Sequence, residues 1–352
     1  MSKLQLSNSE RDNNFNFLRI VFALLVLLSH APELADGNRE RELLTQIFHT
    51  MSFGEVAVGG FFLLSGYLIV QSWTANPDLV EFLKKRVLRI YPAFIVASIV
   101  SAFIVGPLAS ESTTYFSSFW YKGLIKSLLF LDQPYTPPVF PGTPYPVVNG
   151  SMWTITYEFR CYLLVLIFGI IGLFNKRIVW LTITAAVLFV LAMQKLELLA
   201  MPNSAFLRLA SYFFCGGCFF LYREQIAFNK LTAAAMGIAL FIGLFSTYAA
   251  ELVFATAGAY LLFYIALTPI GTLNRINRYP DVSYGAYLYG WPVQKLFLWY
   301  FPTMSPWLLA ILSVLSCIAL GAISWYLIEK PALRLKSVDI KLTMRRAISF
   351  RA

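Results

Sequence analysis

Long apolar runs decide what this chain can fold into. Residues 21–28 and 308–323 contain no charged side chain, and stretches like them recur along the whole sequence. A helix needs about 20 mostly apolar residues to cross the hydrocarbon core of a bilayer. A membrane β-barrel would instead show segments of about ten residues that alternate in polarity, and these runs do not alternate. Composition agrees: 58% of the 352 residues are hydrophobic and only 13% charged, too apolar a balance for a soluble domain. An aromatic content of 16% excludes disorder.

The reading is an all-α polytopic membrane protein with about ten transmembrane helices. They are expected at 16–34, 56–73, 90–108, 151–174, 178–194, 206–222, 231–247, 251–270, 282–301 and 306–328. Charge pairs and prolines such as Lys176–Arg177 and Pro280 mark their ends. No internal repeat of the transporter kind stands out. The organisation expected is one integral-membrane domain over 1–335 and a basic tail over 336–352. The first span has the basic start (Lys3, Arg11) of a secretory signal, but it carries candidate site residues that cleavage would remove.

Lysine and arginine fix the expected orientation, since they concentrate in cytoplasmic segments. With the N-terminus inside, the inner segments hold Lys84, Lys85, Arg86, Arg89, Lys176, Arg177 and the tail, among others. The outer ones hold Arg39, Arg41, Lys122, Lys126, Lys195 and Arg208. The ratio is roughly three to one, which places both termini in the cytoplasm. It also accounts for most of the +10 net charge without a nucleic-acid partner. The tail, with Lys336, Lys341, Arg345, Arg346 and Arg351, suits anionic lipid headgroups.

Cys215-Gly-Gly-Cys218 has the spacing of a redox or zinc motif. It sits in an apolar span without a nearby histidine, and its small residues suit close helix packing instead. No metal is expected, because the chain has only two histidines, His30 and His49. The segment 109–150 is the one long loop and interleaves prolines with Tyr135, Phe140 and Tyr145. Two readings stay open for it: a binding lid whose aromatic faces pack on a ligand, or a stiff cover over the helix ends.

Ionisable groups inside the spans carry the chemistry, because each costs about 2.5–3.5 kcal/mol at the bilayer centre even on the mildest scale. They are His30, Glu158, Arg160 and Lys295, with Arg19 near a boundary. Arg19 and His30 fall on one helix face and roughly 16 Å apart along its axis. The fourth span runs the opposite way, which brings Glu158 to a depth similar to that of His30. A carboxylate beside an imidazole is the arrangement that orients a general base. Arg86 and Arg89, one turn apart, form a cluster suited to the phosphates of a nucleotide-like cofactor, or simply a positive-inside anchor.

In this order along the chain, several short motifs resemble the acyltransferase-3 family of bacterial integral-membrane acyltransferases, over about 14–335. They are the Arg19-to-His30 spacing after Asn14, Phe61-Phe-Leu-Leu-Ser-Gly-Tyr67, Arg86-x-x-Arg89-Ile-Tyr-Pro92, Asn149-Gly-Ser-Met-Trp153 with Glu158, Ser283-Tyr-Gly-Ala-Tyr-Leu288 with Trp291-Pro292, and Glu329-Lys-Pro331. The resemblance implies a bacterial inner-membrane enzyme. It would move an acyl group, most often acetyl, from cytoplasmic acyl-CoA to a hydroxyl of a surface polysaccharide or lipid-linked sugar. It makes His30 the catalytic histidine, Arg19 its paired arginine, and Arg86 and Arg89 the CoA side, with Glu158 as the acidic residue of the fourth-span motif. The chain departs from many relatives at Gly290, where they have histidine, and at Gly59 and Gly60, where they have an acidic residue. The expected mechanism has acyl-CoA phosphates on Arg86, Arg89 and Arg19, and His30, oriented by Glu158, as general base. Direct transfer and a covalent acyl-histidine both fit. A transporter or sugar flippase is the alternative from another class.

Overall fold

The computed structural model describes residues 13–337 apart from 112 and 269. Lys3, Arg11 and the basic tail residues Lys341, Arg345, Arg346 and Arg351 lie outside the described residues. All regular elements among the described residues are helical. Ten long helices form the body: α1 (Phe15–Asp36), α2 (Phe53–Ala75), α3 (Leu79–Leu108), α4 (Gly150–Ile170), α5 (Arg177–Lys195), α6 (Ser204–Leu221), α7 (Lys230–Gly243), α8 (Ala250–Leu267), α9 (Ser283–Tyr300) and α10 (Pro306–Ser337).

They fall where the apolar runs predict, and among the described residues eight are both long and apolar enough to cross a membrane. The other two differ from these eight in length or in polarity. Helix α7 has 14 residues, about 21 Å, which is short of a ~30 Å hydrocarbon core. Helix α9 has the length, but it carries Gln294, Lys295 and several tyrosines. It tolerates them because protein surrounds it: Tyr287, Leu288, Trp291, Gln294 and Lys295 are all buried, against α1, α10 and the 147–151 segment. The peripheral helices are the reverse, with Ile178 and Phe189 on α5, Leu231 and Ile242 on α7, and Ile311 and Leu315 on α10 exposed as a lipid-facing belt would be.

Helix α2 sits at the centre, between α1 and α6. A Cβ at Gly66 would lie 1.9 Å from the carbonyl oxygen of Phe213, and one at Gly216 would lie 2.0 Å from that of Leu63. The two backbones therefore touch, which only glycine allows. Gly216 and Gly217 of the Cys215–Cys218 motif serve packing in this way, and all four cysteines are free.

The 109–150 segment is a packed cover rather than an open loop. It contains a helix at Tyr121–Phe130 and buries Val139, Phe140 and Val148. Lys295 of α9 secures it: its Nζ donates to the Thr143 hydroxyl and lies 4.8 Å from the centre of the Phe140 ring. The end of the segment docks on α9 through a gap that proline creates. Pro292 cannot donate to the carbonyl of Leu288, and Asn149 Nδ2 donates to that carbonyl instead, at 2.9 Å.

Candidate active site: two cavities that meet

Two cavities lie inside the bundle. The first, of about 120 Å³, collects Arg19 from α1, Arg86 and Arg89 from α3, and Glu158 and Tyr162 from α4, with Ser65 and Tyr284. The second, of about 70 Å³, contains His30, Glu33, Arg39, Glu55, Ser151, Trp153 and Arg208. Val58 and Tyr287 line both.

In the arginine cavity, two acids to which the sequence reading gave no role at the site balance much of the charge. Asp281, just before α9, pairs with Arg89 at 2.7 Å and Arg19 at 3.3 Å. Arg89 also reaches Glu329 at 3.3 Å, and Ser324 donates to that carboxylate. Glu329 sits in a π-helical turn, Trp325–Glu329, of the kind that often marks a functional position. Burial pushes the Asp281 carboxyl up, but Arg89 and Arg19 outweigh that and hold it down at about 2. Arg86 differs from its neighbours. Its Nε is buried without a hydrogen-bond partner, and its Nη2 has only a long contact with Ser72 at 3.4 Å. Its guanidinium otherwise rests near the rings of Phe82 and Tyr162, 5.6 and 5.9 Å away. Of the three arginines it is the one poised to receive an anion.

In the histidine cavity, His30 Nδ1 lies 2.9 Å from Glu33 Oε2, one turn further along α1. Arg39 holds the same carboxylate at 2.7 Å. An ionised carboxylate only accepts, so Nδ1 is the donor in this pair, and Nε2 is the ring nitrogen that Glu33 does not engage. Trp291 packs edge-on against the imidazole at 5.1 Å, and Tyr145 of the cover packs on Trp291 at 5.8 Å. Arg208 is held by Glu55 at 2.8 Å and Glu251 at 3.4 Å.

This geometry corrects the expected pairing of His30 with Glu158. Glu158 accepts from Ser65 at 2.6 Å and from Tyr162, and it belongs to the arginine cavity. The reason is depth along α4. Ser151 and Trp153 lie at the level of His30, and Glu158 is five residues beyond Trp153, roughly 7 Å further in. The signal that could have found Glu33 is the i,i+3 spacing itself. Arg19, Arg86 and Arg89 do converge on one cavity as the sequence suggested. Arg160 is exposed beside Tyr157, and Lys295 serves the cover, so neither joins a cavity.

Fold and site together define a multi-pass membrane protein with a carboxylate-held imidazole and a buried arginine cluster back to back. A family model described as an acyltransferase domain matches residues 12–327, and the chain belongs to that family; it is an acyltransferase. It is 27% identical to an O-acetyl transferase of Shigella phage Sf6, over 94% of this chain and 99% of that protein. It is 28% identical to nodulation protein 10 of Rhizobium leguminosarum bv. viciae, over 94% of this chain and 95% of that one. An acyltransferase of Streptomyces mycarofaciens, MdmB, is 29% identical over 42% of this chain and 36% of its own length. No solved structure matches the chain significantly.

Proposed function

We propose that the protein is a membrane O-acetyltransferase that moves an acetyl group from cytoplasmic acetyl-CoA to a hydroxyl of a surface glycan or lipid-linked sugar. The observation that carries this reading is that Val58 and Tyr287 line both cavities, so the arginine side and the histidine side lie against the same two residues. An anionic donor suits the side lined by Arg19, Arg86 and Arg89, with Arg86 the arginine open to phosphate. A hydroxyl acceptor suits the side that holds an imidazole whose Nδ1 is engaged by Glu33, with Nε2 the ring nitrogen that Glu33 does not use. The O-acetyl transferase of phage Sf6 supports acetyl as the group and oxygen as the acceptor atom.

In this mechanism the acceptor hydroxyl gives its proton to His30 Nε2 while its oxygen attacks the thioester carbonyl. The tetrahedral intermediate collapses, the C–S bond breaks, and the CoA thiolate leaves and takes the proton back from His30. Glu33 fixes the imidazole and stabilises the imidazolium formed on the way, and Arg39 keeps that carboxylate in place. Both termini lie in the cytoplasm of a bacterium's inner membrane, with the basic tail on anionic lipid.

The test is to supply radiolabelled acetyl-CoA to membranes containing the wild type or a folded His30→Ala protein. Label should appear in glycan with the wild type only. Equal incorporation by the two proteins sinks the reading.

A further inference from the structure

We propose that the junction at Val58 and Tyr287 is the acyl-group site, and that its fixed width restricts the donor to short acyl chains of the acetyl class. This rests on the acyl-transfer reading above. The carbonyl carbon has to lie within bonding reach of a hydroxyl activated by His30, while the donor's phosphates remain on the arginine side. The place that satisfies both lies between the two cavities, and the residues present in both linings are Val58 and Tyr287.

Neither wall can give way. The Tyr287 hydroxyl is tied to the Thr154 hydroxyl at 2.6 Å and to the backbone carbonyl of Ser151, and its ring stands edge-on to Phe61 at 6.2 Å. Val58 is β-branched and on a helix, so it has essentially one χ1 rotamer. The backbone beneath it is held on two sides. A Cβ at Gly60 would lie 2.4 Å from the Phe22 ring of α1, and one at Gly59 would lie 2.7 Å from Phe254 of α8 and 2.9 Å from Tyr212 of α6. Those contacts, with the touching backbones at Gly66 and Gly216, leave α2 no room to retreat from a longer chain. Close packing of this kind resists the addition of even one methylene.

The experiment compares acetyl-, propionyl- and butyryl-CoA as donors to membrane vesicles of the native host carrying wild type, Val58→Ala or Val58→Leu, with free CoA release as the readout. A methylene in such a pocket is worth about 10- to 200-fold in kcat/KM. The wild type should prefer acetyl- to butyryl-CoA by at least about 10-fold, Val58→Ala should cut that ratio about 10-fold, and Val58→Leu should raise it. The ratio of two donors on one sample is independent of how much protein folds, and a purely structural role predicts no opposite shifts. An unchanged ratio across the three proteins, with His30-dependent CoA release intact, overturns the acyl site and leaves acyl transfer standing. The absence of His30-dependent release from every acyl-CoA overturns both.

Discussion

The arginine cavity and the histidine dyad are built by opposite strategies. The first draws its ion pairs from four separated places: Arg19 on α1, Arg89 on α3, Asp281 before α9 and Glu329 in the π turn of α10. The second lies within a single turn of α1, His30 to Glu33, with Arg39 supplied just past that helix's end. The distributed cluster registers how four helices sit against one another. The local dyad is correct as soon as α1 is helical. A buried ion network that spans elements therefore does double service, binding and bracing, whereas the dyad is free to serve chemistry alone.

That contrast orders the expected effects of substitution. The largest belongs to His30→Ala, which should lower turnover by about 10²–10⁴-fold, the usual contribution of a general base. Its thermal midpoint should stay near wild type, and a large drop in midpoint would show that the dyad also braces the fold. Next is Asp281→Asn, which strands buried charge on Arg89 and Arg19. Loss of one partner of a buried ion pair costs about 3–5 kcal/mol, measured by thermal unfolding in detergent, with turnover of the surviving folded protein little changed. Acid offers the same test: a carboxyl held down at about 2 stabilises at neutral pH, and that contribution fades as the pH falls toward 2.

Glu33→Gln should come third. The amide oxygen still accepts from Nδ1, so orientation survives, but the charge that favours imidazolium is gone. Turnover should fall about 10- to 100-fold with the KM for acyl-CoA unmoved, and a change confined to KM would assign Glu33 to substrate binding instead. Of similar size, but confined to binding, is the effect of Arg86→Ala, where one charge-assisted contact to phosphate is worth about 1.5–3 kcal/mol. It should weaken acyl-CoA binding by roughly 10- to 150-fold at unchanged stability, since Arg86 braces no carboxylate. Equal acyl-CoA affinity in the variant would take the donor away from this cavity.

Much of the fold was legible because hydrophobicity is local. The apolar runs located all ten long helices, and the motif order located the family. Burial of α9 was not legible, because a helix surrounded by protein need not advertise itself by apolar composition. The site was half legible. The spacing of Arg86 and Arg89 and that of Arg19 and His30 put residues on the right faces. Depth was harder to read: the expected start of α4 falls within one residue of the observed Gly150, yet the five residues by which Glu158 lies beyond Trp153 are enough to put it in the other cavity. Asp281 went unseen because it sits just before a helix, where a charge is unremarkable until the arginines it answers are known to be buried, and Glu329 was noted only as part of a motif, with no arginine partner assigned.

The polarity of α9 also bears on how the protein is made. A segment with Gln294, Lys295 and four tyrosines has too little affinity for hydrocarbon to leave the insertion machinery alone. Helix α10 follows after a short turn, packs along it, and is the most apolar of the spans. The two are therefore expected to enter the bilayer as a hairpin, with α10 carrying its polar partner in. Lys295 is not at rest until the earlier cover segment, with Phe140 and Thr143, closes over it. The last steps of biogenesis thus join the end of the chain to its middle, and a ribosome that stops before α10 leaves α9 without a membrane address.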